Sequence, residues 1–164
     1  MIRVGVLTAS DKGSRGERED LAGPTLMELV REIGGQVMEY AVLPDEQEAL
    51  AAKMREWADG LSLDLILTTG GTGFSPRDVM PEATLSVAER LVPGFAEVMR
   101  MESLKVTSHA MLSRAVSVLR GRTLIINMPG SPKAVKECFA AIAPAIPHGI
   151  EVLRGEANEC AAPG

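Results

Sequence analysis

Leu65-Ile66-Leu67-Thr68-Thr69-Gly70-Gly71-Thr72-Gly73 decides the fold. Leu65 to Leu67 is a short apolar run, the mark of a central strand covered on both faces. It opens directly into a segment from which most side-chain bulk has gone. In an open α/β sheet, ligands bind outside the carboxyl ends of the strands. A glycine-rich turn there lets backbone N–H groups approach an anion closely. Ser75, Arg77 and Asp78 follow at once and add a hydroxyl, a guanidinium and a carboxylate. A phosphate-bearing ligand is the natural expectation. The loop is no Walker A, which ends in Gly-Lys-Ser/Thr. The spacing of Gly70, Gly71 and Gly73 does not make a dinucleotide fingerprint either. Taken alone, it has a plain alternative as a tight strand–helix turn.

Working outward, strands and helices alternate. Arg3 to Leu7 reads as a first buried strand, followed by a polar loop from Ser10 to Asp20. Pro24 suits the first position of a helix whose Leu26, Leu29, Val30 and Ile33 recur at helical spacing until Gly34-Gly35. A second strand spans 36–43. Asp45 with Glu48 resembles a capping box opening a helix that carries Leu50, Met54, Trp57 and Leu61. The third strand, 64–69, delivers the glycine loop. Two helices are expected over 81–90 and 94–105, and a hairpin from 115–119 and 123–127 turning at Arg120-Gly121. Pro129-Gly130-Ser131-Pro132 is a second glycine-containing loop before a helix, and Pro144 and Pro147 interrupt or restart the last one. The pattern predicts a three-layer α/β/α fold with a mostly parallel central sheet and one antiparallel hairpin. One domain over 1–155 and a loose tail over 156–164 complete it.

With 164 residues, of which 46% are hydrophobic, the chain suits one well-filled core. Aromatics supply only 3% of residues, so that core must rest on aliphatic residues and the nine Met. A net charge of -5 argues against a nucleic-acid partner held by counterion release. No apolar run approaches a membrane span, and no secretory signal opens the chain, which points to a cytoplasmic protein. Cys138 and Cys160 show no metal-ligand spacing.

Convergence strengthens the functional reading of the glycine loop. Ser10-Asp11 ends the first strand, Asp45 follows the second, and Asn127 to Ser131 ends the last. Loops at four strand ends on one sheet edge make a cleft. Asp45 and Asp78 each have a bland role as helix caps. Their functional role is to hold Mg²⁺, which favours one or two carboxylates plus substrate phosphates. Arg77 and the charged run 15–20 have solvated surface roles as their alternatives, and His109 and His148 fit surface or core packing.

Several ordered segments resemble the MogA/MoaB-type molybdopterin-binding family. These are Ser10-Asp11, Leu43-Pro44-Asp45-Glu46, Thr68 to Gly73 with Ser75-Pro76-Arg77-Asp78-Val79, Pro81-Glu82-Ala83-Thr84, Pro93-Gly94-Phe95, and Asn127-Met128-Pro129-Gly130 with Pro132-Lys133. The resemblance covers nearly the whole chain and is nearest the adenylyltransferase branch. It implies adenylyl transfer from MgATP to the terminal phosphate of molybdopterin, with release of pyrophosphate. It implies Asp45 and Asp78 as essential, metal-holding carboxylates. Gly70, Gly71, Thr72, Gly73, Ser75 and Arg77 would then serve phosphate, with Asn127, Pro129, Gly130 and Ser131 on the nucleotide side. Ser10, Asp11 and Ser14 would line the pterin side. A homotrimer, and handover of the product to a molybdate-inserting protein, are further implications. A pterin carrier without efficient catalysis and a CinA-like nucleotide pyrophosphatase domain are the alternatives.

Overall fold

The computed structural model describes residues 1–157. Six strands form one mixed sheet: β1 (Ile2–Ala9), β2 (Gly35–Leu43), β3 (Leu65–Thr69), β4 (Arg90–Leu91), β5 (Ser117–Arg120) and β6 (Thr123–Met128). Their order across the sheet is β2-β1-β3-β6-β5-β4. The four strands from β2 to β6 in that order are mutually parallel, and β5 runs antiparallel to both β6 and β4. Gly121 turns the β5–β6 hairpin with φ 54°.

The period-2 pattern of each strand divides its side chains between two cores. Val4, Val6, Leu65, Leu67, Leu124 and Ile126 face one side. There they meet α2 (Ala22–Leu29), α5 (Pro93–Leu104), α6 (Pro132–Ile142) and α7 (Ile146–Arg154). Leu7, Ile66 and Ile125 face the other side, under α3 (Gln47–Arg55) and α4 (Met80–Val87). Trp57, on a widened turn that extends α3 over Glu56–Gly60, is the largest side chain of this second core. It lies so close to β1 that a Cβ at position 5 would stand 2.6 Å from its ring, which explains a glycine inside a central strand. The expected layers, parallel sheet and hairpin are all present.

The local differences have physical causes. A short helical turn, α1 (Asp11–Ser14), replaces the start of the expected polar loop, because the Ser10 hydroxyl accepts the Gly13 N–H and caps it. Helix α2 begins at Ala22 rather than at Pro24, since Asp20 accepts the Gly23 N–H ahead of the proline. Asp45 does not cap α3: that position belongs to Glu46, which makes no side-chain cap bond. The helix expected over 81–90 stops at Val87, and Arg90–Leu91 pairs with β5 as the edge strand β4. The expected tail falls mostly outside the described residues, as does Cys160. Among the described residues no helix is long and apolar enough to cross a membrane.

Candidate active site

Strand β1 lies between β2 and β3, so the chain leaves β1 toward one side of the sheet and returns on the other. Such a switch point opens a crevice between the diverging loops. Here those loops are α1 with the 15–20 segment, and the glycine loop after β3. At the floor of the crevice the Thr8 and Thr69 hydroxyls are 3.0 Å apart. Thr8 donates to Asp20 Oδ2 at 2.8 Å, and the Tyr40 hydroxyl donates to the same oxygen at 2.5 Å. Burial and that carboxylate together push the Tyr40 hydroxyl well above its ordinary pKa, so it stays a donor.

Gly70 and Gly71 are consecutive left-handed residues, with φ 81° and 71°. Any side chain at Gly70 would strike the Ala9 carbonyl. This geometry turns the loop's carbonyls into the protein: Gly71 O accepts from Met80 N at 3.0 Å and Thr72 O from Arg114 N at 2.9 Å. Gly73 O accepts from Arg114 Nε at 2.7 Å. The N–H groups from Gly70 to Gly73 donate to none of the described residues. Carbonyls anchored inward and donors left over are the features of an anion nest.

Asp45 and Asp78 flank this nest. A Cβ at Gly71 would lie 3.5 Å from Asp45 Oδ1, and one at Gly73 would lie 2.9 Å from Asp78 Oδ2. Asp45 Oδ2 accepts the Asp11 N–H at 2.9 Å, and Asp11 Oδ1 accepts the Asp45 N–H at 2.9 Å. Asp78 Oδ2 accepts the Ser75 N–H at 2.9 Å, which closes its own turn rather than capping α4. Each carboxylate therefore keeps Oδ1 without a donor among the described residues. Burial, with the charges of Asp11 and Asp78 added, pushes the Asp45 carboxyl above its ordinary pKa. Asp11 behaves oppositely: Arg77 donates to both its oxygens, at 3.0 and 2.9 Å, and holds it below the usual range. The same guanidinium reaches Glu46 at 3.2 Å. Arg77 is thus committed to two carboxylates instead of standing free in solvent.

Two cavities meet at the nest. One, of about 350 Å³, occupies the switch-point crevice and is lined by Ser10, Asp20, Thr69, Gly70 and Ser131 among others. The second, of about 240 Å³, lies between α5 and α6 and is lined by Thr72, Met99, Arg100, Ser113 and Pro129 among others. Gly130 borders both cavities, and a Cβ on it would stand 3.6 Å from Gly70 Cα. Ser10 and Ser131, which the family resemblance assigns to opposite substrate sides, share the first cavity. Ser131 caps α6 by accepting the Ala134 N–H at 3.3 Å. The Ser14 hydroxyl donates to Asp11 O. Asn127 is fully buried, and its amide donates to Thr68 and Thr84 at 3.0 and 2.9 Å, so its side chain ties β6 to β3 and α4.

Sequence reasoning missed Asp20, Glu82 and Arg114 as parts of this site. Asp20 had a visible signal, an Asx three residues ahead of an N-terminal helix amide. The other two had none, because their partners are distant in sequence.

A divalent cation fits the donor set, since two mutually repelling carboxylates flank an anion nest, Asp45 presenting its unbonded Oδ1 near Gly71 and Asp78 its Oδ2 near Gly73. Among the described residues no His, Cys, Asp or Glu joins them to form a three-ligand metal group. Such a cation would take its other ligands from phosphate and water, as Mg²⁺ does.

Residues 5–148 match the family model described as "Probable molybdopterin binding domain". A protein named molybdopterin adenylyltransferase from Helicobacter pylori (strain J99) is 42% identical over 156 residues, covering 94% of this chain and 89% of the relative. The protein of the same name from Escherichia coli K12 is 38% identical over 174 residues, covering 98% and 89%. The crystal structure of a molybdopterin biosynthesis enzyme MoaB from Thermus thermophilus superposes with a TM-score of 0.89 at 48% identity, covering 94% of this chain and 98% of that one.

Proposed function

This chain belongs to the molybdopterin-binding domain family, and from that premise we propose that its cleft transfers the adenylyl group of ATP to molybdopterin in molybdenum cofactor biosynthesis. A terminal-phosphate oxygen of molybdopterin forms a new bond to the α-phosphorus of ATP. The bond from that phosphorus to the bridging oxygen breaks, and pyrophosphate leaves with the electron pair. No proton need move, so the protein's work is positioning and charge neutralisation.

The observation that carries this reading is the nest at the junction of the two cavities. A reaction between two phosphorylated molecules needs two seats whose phosphate ends meet, and Gly130 borders both seats. Gly70 to Gly73 would hold phosphate oxygens through their unpaired N–H groups. Asp45 and Asp78 would hold Mg²⁺, which offsets the triphosphate charge when bound. Ser75 keeps Asp78 in place, and Arg77 holds Asp11 and Glu46 so that their charges do not face the phosphates unpaired. The carrier and pyrophosphatase alternatives are not favoured beside the adenylyltransferase relatives.

A homotrimer is part of the reading. Met101, Leu104, Met111 and Leu112 stand exposed on α5 and the 108–112 turn, an apolar surface of the kind that self-association covers. A sedimentation mass of one chain would contradict it. The product would pass to a molybdate-inserting partner in the cytoplasm. Incubating the protein with molybdopterin and MgATP tests the reaction itself. Pyrophosphate should appear only when both substrates are present. ATP-independent pterin binding with no pyrophosphate would sink the proposal.

A further inference from the structure

Arg114 faces the inner side of the nest and makes polar contacts with three of its segments. Its backbone N–H donates to Thr72 O at 2.9 Å. Its Nε donates to Gly73 O at 2.7 Å and its Nη2 to Asp78 O at 2.8 Å. Its Nη1 donates to both carboxylate oxygens of Glu82, at 2.8 and 2.9 Å, on the first turn of α4. One planar guanidinium thus draws in the carbonyls at both ends of the segment 73–78, while a carboxylate on a packed helix fixes its orientation. Lysine has no such fork and cannot reproduce three divergent donors in a plane.

The flanking residues belong to the second cavity. Ser113 and Ala115 line it, and their carbonyls accept from Arg100 Nη1 at 3.4 and 2.8 Å. Three consecutive residues therefore form the wall of one substrate seat and the anchor of the phosphate nest. Nε and both Nη atoms of Arg114 are engaged within the protein, which makes it an anchor of the loop.

We propose that the Arg114–Glu82 pair is a positioning device that sets the outward N–H groups of the nest and the Asp78 carboxylate in the geometry needed for phosphoryl transfer; the inference rests on the adenylyl-transfer reading above. Misplacing reacting groups by an ångström costs on the order of 100-fold in rate. The device should therefore appear in kcat more than in KM.

The test measures turnover and backbone amide exchange in the wild type and in Arg114→Gln, Arg114→Lys and Glu82→Gln. Arg114→Gln should lower kcat roughly 100-fold while KM for ATP and molybdopterin stays within about threefold. The amides of Ser75, Asp78 and Met80, which are bonded to Asp78 Oδ2, Ser75 O and Gly71 O, should exchange about tenfold faster, with β1 and β6 unchanged. Arg114→Lys should not restore kcat. Glu82→Gln keeps the carbonyl contacts and should lose about tenfold in kcat, and it decides the matter if Arg114→Gln does not fold. Wild-type exchange at the Ser75, Asp78 and Met80 amides in the folded variants, or a lower melting temperature with unchanged kcat, would overturn the positioning role. Absence of turnover in the wild type would overturn the reaction reading alone, and the exchange result would then decide the role of the pair.

Discussion

The two ends of the sheet hold aspartates in opposite states. At the amino end, Asp64 accepts from Arg3 N at 2.7 Å and from Arg154 Nε and Nη2 at 3.1 and 2.6 Å, so both its oxygens are answered. That arrangement closes α7 over the start of β1, and Arg154 also donates to Met1 O. At the carboxyl end, Asp45 and Asp78 flank the nest, and each commits one oxygen to a backbone N–H and leaves the other without a donor among the described residues. The closed end shows what the chain does when a carboxylate only has to hold the fold. The open end departs from it by leaving carboxylate oxygens and backbone N–H groups unanswered among the described residues.

The comparison makes separable predictions. Asp78→Asn should lower kcat by roughly 10²–10³-fold, equivalent to about 3–4 kcal/mol, with melting little changed. A wild-type rate would remove Asp78 from the mechanism. Asp64→Asn, at the closed end, should do the reverse: about 2 kcal/mol of stability lost, or roughly 4–8 °C in Tm, with kcat of the folded protein intact. An activity loss larger than the stability loss would blur the distinction between the two ends. Gly71→Val adds a branched side chain at positive φ, 3.2 Å from Met80 Cβ at its first atom. It should weaken ATP binding at least about tenfold, and calorimetry showing unchanged affinity would mean that the glycine serves the turn alone.

The smallest effect concerns Asp45. Its carboxyl is raised by burial and by neighbouring charge, so the native state favours the protonated form. Its stabilising contribution is present below the ordinary aspartate range and is lost as pH rises through the elevated value. Asp45→Asn should therefore melt a few degrees higher than the wild type at about pH 7. The gap should close as pH falls toward about 4. A lower Tm for the variant at neutral pH would contradict the charge account. The same variant should be poor in turnover, the usual exchange between stability and activity at a site.

Most of the fold was legible because it rests on local pattern. The apolar run 65–67, the helical spacing after Gly23-Pro24 and the Arg120-Gly121 turn each announce their element. The edge strand β4 did not, since two exposed residues carry no periodicity and owe their conformation to β5. The nest and both flanking carboxylates were readable from glycine content and strand-end position. The role of Asp45 as a cap was misread because Asx before a helix is a local signal. Here a partner 34 residues away, the Asp11 N–H, takes the oxygen instead. Arg114 and Glu82 were out of reach for the same reason, as their spacing of 32 residues obeys no local rule.

The central claim is that the N–H groups from Gly70 to Gly73 receive a phosphate at the open end of the sheet. An amide-resolved NMR titration with MgATP tests it most directly. The account predicts that the Gly70, Gly71, Thr72 and Gly73 amides shift together and saturate with one affinity, while the amide signals around Asp64 and Arg154 stay in place. Saturable binding that leaves those four amides unmoved would contradict it.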